Sequence, residues 1–265
     1  MTDTPRRQKT ATAFPEPLVP VGCAECRRSE ALGFTFTMAF QPIVDVDTGR
    51  PWAYEALVRG SNGEGAGEVL AKVTDQNRYR FDQVCRVEAI ELAAKLGLHR
   101  LNDYRLCINL LPNAVYRPGT CIRSTLEACA LHSFPSDRRM SEVTESEPVR
   151  DASHLIGIFN DYRKRGFATA IDDFGAGYAG LNLLTMVQPQ AIKLEMELTR
   201  SIDTHPPREA IVAGIILTAE KLGITLIAEG VETAAERDQL RTMGIKLQQD
   251  YRFARPQVEA LPLKP

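Results

Sequence analysis

The sequence has no excess of positive charge and no long hydrophobic run. Its 265 residues include 32 Lys and Arg against 34 Asp and Glu, which gives a formal net charge of −2. Non-specific binding to nucleic acid relies on a broad positive field, so we expect no DNA or RNA polymer as a partner. No run approaches the roughly 18 apolar residues of a membrane span, so we expect no membrane span.

The cysteines are also too irregularly placed for a disulfide framework. The six cysteines are unevenly spaced, and several fall in apolar runs where a buried free thiol is ordinary. Cys23 and Cys26 form half of a zinc or redox motif, but no second pair with metal spacing follows. Two ordinary thiols are therefore favoured over a metal shared with another chain.

The N-terminal residues do not resemble a secretory leader. Arg6, Arg7 and Lys9 are basic, but no apolar stretch follows them. Together with the cysteine pattern, this predicts a reduced, cytoplasmic protein. Residues 1–30 are rich in proline, threonine and charge, which is typical of an arm or linker without a core of its own. One domain is expected over residues 31–265.

From Phe34 onward, strand-like runs alternate with helical stretches, several of which end in glycine. A helix that ends in glycine before an apolar strand is typical of repeated βαβ units. The repeats number close to eight, which predicts an α/β fold, a TIM-like (β/α)8 barrel. The first two runs, FTFTMAFQPIV and PWAYEALV, are joined by DVDTGR, which suits a hairpin. We therefore predict a modified barrel with an antiparallel first strand.

Polar side chains follow the apolar strand-like runs. They are Glu55 in YEALVRG, Asn109 in LCINLLP, Glu142 in SEVTES, Asp172 and Asp173 in AIDDFGAGY, Lys193 in AIKLE, Glu229 and Glu232 in IAEGVE, and Gln249 in LQQDY. Because a parallel barrel gathers its strand ends at one rim, we expect these residues to meet there. Each motif alone is more typical of a helix cap or a solvated turn. As an ordered set they favour a metal site.

The chemistry of this set indicates a particular reaction class. Oxygen-rich ligand sets select Mg²⁺, Mn²⁺ or Ca²⁺ over softer metals. Two such ions a few ångströms apart hold a phosphate and ionise a water molecule for in-line attack. The sequence therefore predicts phosphodiester hydrolysis.

In order and spacing, the motifs resemble the EAL-domain family of cyclic di-GMP phosphodiesterases. The resemblance runs from about Phe40 to Pro256 and rests on YEALVRG, INLLP, SEVTES, IDDFGAGY, AIKLE, IAEGVET, and QQDY followed by RFARP. It implies hydrolysis of cyclic di-GMP to linear pGpG with two Mg²⁺ or Mn²⁺ ions, with Ca²⁺ expected to be inhibitory. It also implies a homodimer, and a regulatory protein partner is a further expectation.

The resemblance assigns a role to each matching residue. The metal ligands fall on Glu55, Asn109, Glu142, Asp172, Asp173 and Glu229, with Asp172 bridging the two ions. The catalytic set is Lys193, Glu55, Asp172 and Glu232, in which Lys193 matches a contact to the hydrolytic water or the phosphate. The substrate contacts fall on Gln41 for guanine, Arg59 for phosphate and Gln249 beside the metals. The resemblance also implies that loop 173–178 shapes the metal site and links it to a dimer interface. Glu145 matches a glutamate that restrains this loop, unless Glu145 merely caps the following turn.

Two positions depart from the family pattern. Glu195 stands where the family usually has aspartate, and Asp250 replaces the glycine of Gln-Gly-Tyr. A carboxylate moved by one methylene matters in a site that tolerates roughly 0.5 Å of misplacement, and a charge at Asp250 would repel a substrate with two phosphates. Two hypotheses stay open: an active phosphodiesterase, and a receptor or scaffold that binds cyclic di-GMP, or only a protein partner, without cleaving the nucleotide. Gln41 and Arg59 disfavour another phosphodiester as substrate.

Overall fold

The computed structural model describes residues 31–263 apart from 102, 116, 145–151 and 178–179. The predicted N-terminal arm, the Cys23 and Cys26 pair, and Glu145 lie outside the described residues. Within the described part of the chain, no helix combines the length and the apolar character needed to cross a bilayer.

Eight strands close into a barrel, which confirms the predicted architecture. They are β1 (Phe36–Asp45), β2 (Arg50–Gly60), β3 (Arg105–Asn109), β4 (Arg139–Thr144), β5 (Ala168–Phe174), β6 (Ala191–Leu194), β7 (Thr225–Glu229) and β8 (Leu247–Gln249). Strands β2 to β8 are parallel to one another. The first strand is antiparallel to both β2 and β8, as predicted. A short strand β9 (Gln257–Val258) pairs with β1 beyond the closed ring.

The hairpin between β1 and β2 is built by its turn residues. The carboxylate Oδ1 of Asp45 accepts a hydrogen bond from the backbone N–H of Asp47 at 2.8 Å, and this side-chain contact replaces a backbone turn contact. The two strands then pair from Asp45 opposite Arg50 to Phe36 opposite Gly60. This long hairpin is the reason that β1 runs against the direction of every other barrel strand.

Helices lie between the parallel strands. In the described residues they are α1 (Ala66–Leu70), α2 (Arg78–Lys95), α3 (Pro118–Cys121), α4 (Arg123–Leu131), α5 (Ala152–Lys164), α6 (Gly180–Met186), α7 (Met196–Thr199), α8 (Pro206–Leu222) and α9 (Ala234–Thr242). The alternation of strands and helices agrees with the sequence pattern. The helix α9 begins with a capping box, in which Thr233 and Glu236 exchange hydrogen bonds with each other's backbone.

Apolar side chains fill the barrel as well as the space outside it. Two large clusters of buried residues pack the helices against the outer face of the sheet. A third cluster occupies the interior and consists of Ile43, Ala53, Cys107, Met140, Ala170, Ala191 and Ile227. Side chains alternate along a strand, so the residue two positions further along each parallel strand also faces the interior. The apolar interior cluster therefore forms a floor below the side chains that face the interior at the C-terminal rim.

We predict that Gly230→Ala destabilises the protein more than Gly223→Ala. Both glycines have a left-handed backbone, with φ of 62° and 68°, and this conformation costs an alanine about 1–2 kcal/mol. A Cβ at position 230 would overlap the Cβ of Met196, whereas a Cβ at position 223 meets nothing within 4 Å. Overpacking adds about 1–3 kcal/mol. Denaturant unfolding followed by circular dichroism measures both variants, and equal losses would contradict the close packing of α7 against the residue after β7.

Candidate active site

Each of the eight barrel strands places one polar side chain in the layer above the apolar floor. On β2 to β7 these residues lie two positions beyond a member of the interior cluster, and on the antiparallel β1 the polar residue lies two positions before one. The layer consists of Gln41, Glu55, Asn109, Glu142, Asp172, Lys193, Glu229 and Gln249. The structure therefore brings these sequence-predicted residues together at one end of the barrel.

Lys193 lies at the centre of this polar layer and is 1% exposed. Its Nζ lies 3.0 Å from Glu55 Oε2, 3.3 Å from Glu142 Oε2, 3.0 Å from Asp172 Oδ1 and 2.7 Å from Glu229 Oε1. One ammonium thus contacts four carboxylates in a buried space. The carboxylates carry more negative charge than this single cation neutralises.

Three amide side chains complete the layer. Asn109 Nδ2 donates to Glu55 Oε1 at 2.9 Å, and Gln249 Nε2 donates to Glu55 Oε2 at 2.7 Å. The Nε2 of Gln249 also lies 3.3 Å from Gln41 Oε1. Gln41 in turn donates from Nε2 to the carbonyl of Ala254 at 3.4 Å. These contacts fix Glu55 and leave the Oε1 of Gln249 buried without a hydrogen-bond partner in the described residues.

Burial and the excess of carboxylates together shift the pKa values of the site. Burial, reinforced by the charges of Glu55 and Asp172, raises the pKa of Glu142 to about 8 although Lys193 opposes the rise. Burial likewise raises the pKa of Glu229 well above its usual range. For Lys193, burial disfavours the charged form, but the surrounding carboxylates together outweigh burial and raise its pKa. The site without a cation therefore takes up protons to reduce its negative charge.

Asp172 and Asp173 reach the same site although adjacent strand residues normally point to opposite faces. Asp173 adopts a left-handed backbone with φ of 52°, and its N–H donates to Asp172 Oδ1 at 3.0 Å. The pairing of β5 with β6 is interrupted between Ile171 and Phe174. This local break, which costs an L-residue backbone energy, directs both carboxylates to the rim. Burial and the neighbouring Asp172 raise the pKa of Asp173 to about 6.

The geometry of the carboxylates fits two adjacent divalent cations. One group of oxygens comes from Glu55, Glu142 and Asp172, a second comes from Asp172, Asp173 and Glu229, and within each group the atoms lie within 4.8 Å of one another. Asp172 belongs to both groups. The buried Oε1 of Glu142 accepts no hydrogen bond from the described residues. Oxygen ligands of this kind suit hard cations such as Mg²⁺ or Mn²⁺.

Two predicted site residues, Glu232 and Arg59, lie outside both this layer and the carboxylate groups. The side chain of Glu232 is 63% exposed and pairs with Arg200, which places it at the outer edge of the rim. Arg59 is half-buried on β2, four residues beyond Glu55, and its Nη1 donates to the carbonyl of Val58 at 2.7 Å. In this arrangement neither side chain contacts the carboxylate cluster directly.

The two departures from the family pattern have clear structural settings. Glu195 is the N-cap of α7, where its side chain accepts a hydrogen bond from the N–H of Glu197. Asp250 is 5% exposed and does not adopt a positive φ, so aspartate fits the backbone there without left-handed strain. Its Oδ2 is buried and has no hydrogen-bond partner in the described residues, and burial raises its pKa.

Sequence reasoning missed a buried ion pair beside the site. Arg86 Nη2 lies 2.7 Å from Asp82 Oδ2, and both side chains are almost fully buried. Asp82 Oδ1 accepts a hydrogen bond from the N–H of Leu111 at 3.1 Å. Acidic and basic residues four apart in a helix are a recognisable pattern, but this spacing alone is usual for an exposed pair.

We predict that the cation-free protein loses stability as pH rises from about 5 to 8. The pKa of Glu142 is raised to about 8 by burial, so its contribution to folding stability is complete below the unfolded pKa of about 4.3 and is lost as pH rises through the folded value. One bound proton corresponds to up to about 1.4 kcal/mol per pH unit. Denaturant unfolding in EDTA across this pH range measures the slope.

The matched control for this pH dependence is Glu142→Gln, which keeps the shape of the side chain but cannot titrate. Its stability should vary less between pH 5 and 8 than that of the unmodified protein. Equal slopes for the two proteins would show that Glu142 is not the group that takes up the proton.

Comparisons with solved structures agree with this fold. A c-di-GMP-bound standalone EAL protein from Vibrio cholerae O395 is 49% identical, with a TM-score of 0.83 over 88% of this chain and 96% of that chain. The manganese and cy-diGMP complex of Klebsiella pneumoniae BlrP1 at pH 9.0 is 35% identical, with a TM-score of 0.80 over 92% of this chain and 62% of that chain.

Curated relatives extend this similarity. The blue light- and temperature-regulated antirepressor BluF of Escherichia coli is 31% identical over 84% of this chain and 55% of its own length. Cyclic di-GMP phosphodiesterase PA2567 of Pseudomonas aeruginosa is 29% identical over 86% of this chain and 40% of its own length. The chain therefore spans about half the length of these relatives or less. The EAL domain family model matches residues 26–256, and the chain belongs to the EAL domain family.

Proposed function

We propose that this chain is a cyclic-guanylate phosphodiesterase that hydrolyses cyclic di-GMP to linear pGpG by a two-metal mechanism. The observation that carries the proposal is the pair of oxygen groups that share Asp172. The relatives support the choice of substrate, since PA2567 is a cyclic di-GMP phosphodiesterase and the Vibrio cholerae protein was solved with c-di-GMP bound. BluF is an antirepressor, so membership of the family alone does not decide in favour of hydrolysis.

Two Mg²⁺ or Mn²⁺ ions would be held by Glu55, Asn109, Glu142, Asp172, Asp173 and Glu229. When bound, such ions neutralise phosphate charge and make a water molecule nucleophilic near neutral pH. The chain's own residues prepare the site for them. The contacts of Lys193 and Gln249 with Glu55 hold this ligand in place, and Nδ2 of Asn109 points to Glu55, so its amide oxygen is left for a cation.

The remaining residues would orient the substrate. Gln41 lies at the edge of the polar layer, where it can bind a guanine, and Arg59 would leave the Val58 carbonyl to contact a phosphate. Lys193 would hold the hydrolytic water or the phosphate once cations share its carboxylates, because they then take over part of its charge neutralisation. Glu232 would act from the outer rim after release from Arg200.

A receptor that binds cyclic di-GMP without cleaving it is the alternative, and Glu195 and Asp250 motivate it. Glu195 caps α7 from the position two residues after Lys193, and Asp250 places a buried carboxyl beside Gln249. Neither change removes a carboxylate or amide from the polar layer. The intact layer therefore favours catalysis over binding alone.

We predict that the protein converts cyclic di-GMP to pGpG with Mg²⁺ or Mn²⁺, and that Glu55→Gln lowers turnover by more than about 100-fold. Loss of an outer partner of a metal ligand typically costs 10–100-fold, and Glu55 is a direct ligand candidate whose two oxygens both make contacts in the site. Chromatographic separation of substrate and product measures turnover. With Ca²⁺ in place of Mg²⁺, binding without cleavage is expected.

The control for this experiment is Glu220→Gln, which removes an exposed carboxylate on α8 and should leave turnover unchanged. Binding in Ca²⁺ without product in Mg²⁺ or Mn²⁺ would overturn hydrolysis and establish the receptor. Absence of both binding and product would reject cyclic di-GMP as the ligand.

A homodimer is the second part of the proposal. A groove of about 730 Å³ lies beside the loop that follows Asp173, and its lining includes Phe174, Gly175, Leu198 and Ile215. Leu181 on α6 and Ile211 on α8 also line it, and they are 63% and 53% exposed. A second copy of the chain is the proposed occupant, because the groove is continuous with the loop that the family resemblance links to a dimer interface.

We predict that Leu181→Glu or Ile211→Glu halves the mass measured by light scattering. A charge placed in an apolar interface loses its hydration without gaining a partner. The matched control is Leu131→Glu, which changes a leucine that is 78% exposed on α4 and should not alter the mass. A monomeric mass for the unmodified protein, with and without cyclic di-GMP, would contradict the homodimer.

A further inference from the structure

We propose that Asp82 is a positioning residue for the candidate metal centre, because its carboxylate fixes the backbone just beyond Asn109. This inference rests on the proposed function, in which Asn109 is a metal ligand. Asp82 lies on α2, outside the barrel, and contacts neither Lys193 nor any carboxylate of the polar layer through a hydrogen bond or ion pair of the described residues. Its effect on the site would pass through the chain segment 109–111.

The backbone after β3 is fixed at two successive peptide groups. The ladder between β3 and β4 ends where Asn109 lies opposite Glu142. The N–H of Leu110 donates to the carbonyl of Glu142 at 2.8 Å. The next N–H, that of Leu111, donates to the carboxylate of Asp82 at 3.1 Å. A backbone N–H that is removed from water and lacks a hydrogen-bond partner is costly. Asp82 supplies the acceptor for the Leu111 N–H at the point where the strand ladder has ended.

The carboxylate of Asp82 is itself held by Arg86, which in turn contacts two further residues. Arg86, one turn further along α2, donates from Nη2 to Asp82 Oδ2 at 2.7 Å. Its Nη1 donates to Thr125 Oγ1 on α4 at 3.1 Å, and its Nη2 lies 3.4 Å from the carbonyl of Cys121. Asp82 is 2% exposed, and Arg86 and Thr125 are fully buried. The helices behind the barrel thereby set the position of an acceptor at its rim.

Stability alone does not account for this arrangement. Replacement of a buried ion pair by well-packed apolar residues is often neutral or stabilising, so the fold has no general need for charge at this place. What apolar residues cannot supply is an acceptor for the Leu111 N–H. Asn109 lies two residues earlier and holds Glu55 through its amide, so a shift of this segment would displace a ligand, and such sites tolerate only about 0.5 Å.

The test compares Asp82→Ala with Asp82→Asn by calorimetric titration of Mn²⁺ into the full chain. Both variants remove the charge that pairs with Arg86, but only asparagine keeps an oxygen that can accept from the Leu111 N–H. Asp82→Ala should weaken Mn²⁺ binding by about 10- to 100-fold, as is typical when an outer partner of a metal ligand is lost. Asp82→Asn should restore most of this affinity although it lowers the melting temperature to a similar extent.

Ile158→Ala is the stability control. Ile158 is fully buried in the apolar cluster outside the barrel, and its truncation should lower the melting temperature without altering Mn²⁺ affinity. If the single Asp82 variants do not fold, the same comparison is made with Arg86→Met present in both, since methionine leaves no unpaired charge.

The outcomes separate this inference from the proposed function. Equal Mn²⁺ affinity in the unmodified protein, Asp82→Ala and Asp82→Asn would overturn the positioning role and leave the metal site intact. Equal weakening in both variants, matched by Ile158→Ala, would show that only general stability is involved and would also overturn it. A failure of the unmodified protein to bind Mn²⁺ would overturn both proposals.

Discussion

The buried contact of one lysine with four carboxylates is the constraint on which the rest of the barrel end depends. Lys193 is 1% exposed, and the removal of each of these charges from water is expensive. The ammonium offsets part of this cost, but it cannot balance four negative groups. Burial, together with the unbalanced negative charge, therefore raises the pKa values of Glu142 and Glu229. The cluster is therefore poised to exchange protons for divalent cations, which is the property that the proposed chemistry requires.

The carboxylate cluster also depends on the fixed positions of the amide side chains in the same layer. Each amide that borders it makes a defined contact, and Glu55 accepts hydrogen bonds at both of its oxygens. The apolar floor below carries side chains as small as Ala53, Ala170 and Ala191, which leave room above for longer polar ones. The irregular backbone at Asp173 brings a further carboxylate to the rim. A regular β5 would direct that side chain away from the site.

Much of this arrangement follows from the sequence because its signals are local. Apolar runs that end in a polar residue identify the strands and their rim, and the DVDTGR turn predicts the antiparallel first strand. The backbone conformation that places Asp173 does not follow from the sequence, since nothing in the segment AIDDF indicates that the second aspartate adopts a positive φ. Arg59 was predicted from resemblance alone, and Glu232 was expected at the rim from its place after a strand-like run. Their orientations depend on contacts with Val58 and Arg200. Such contacts are made only after the chain has folded.

Glu195 shows how a departure from a family pattern can be absorbed by local structure. Its extra methylene does not leave a carboxylate loose in the site, because the side chain accepts from the N–H of Glu197 and caps α7. The same short helix packs against Gly230, directly after Glu229. A change at position 195 would therefore act on the site through the position of α7 and the end of β7, as well as through its own charge near Asp173. This N-cap contact explains how the polar layer stays intact with glutamate at position 195.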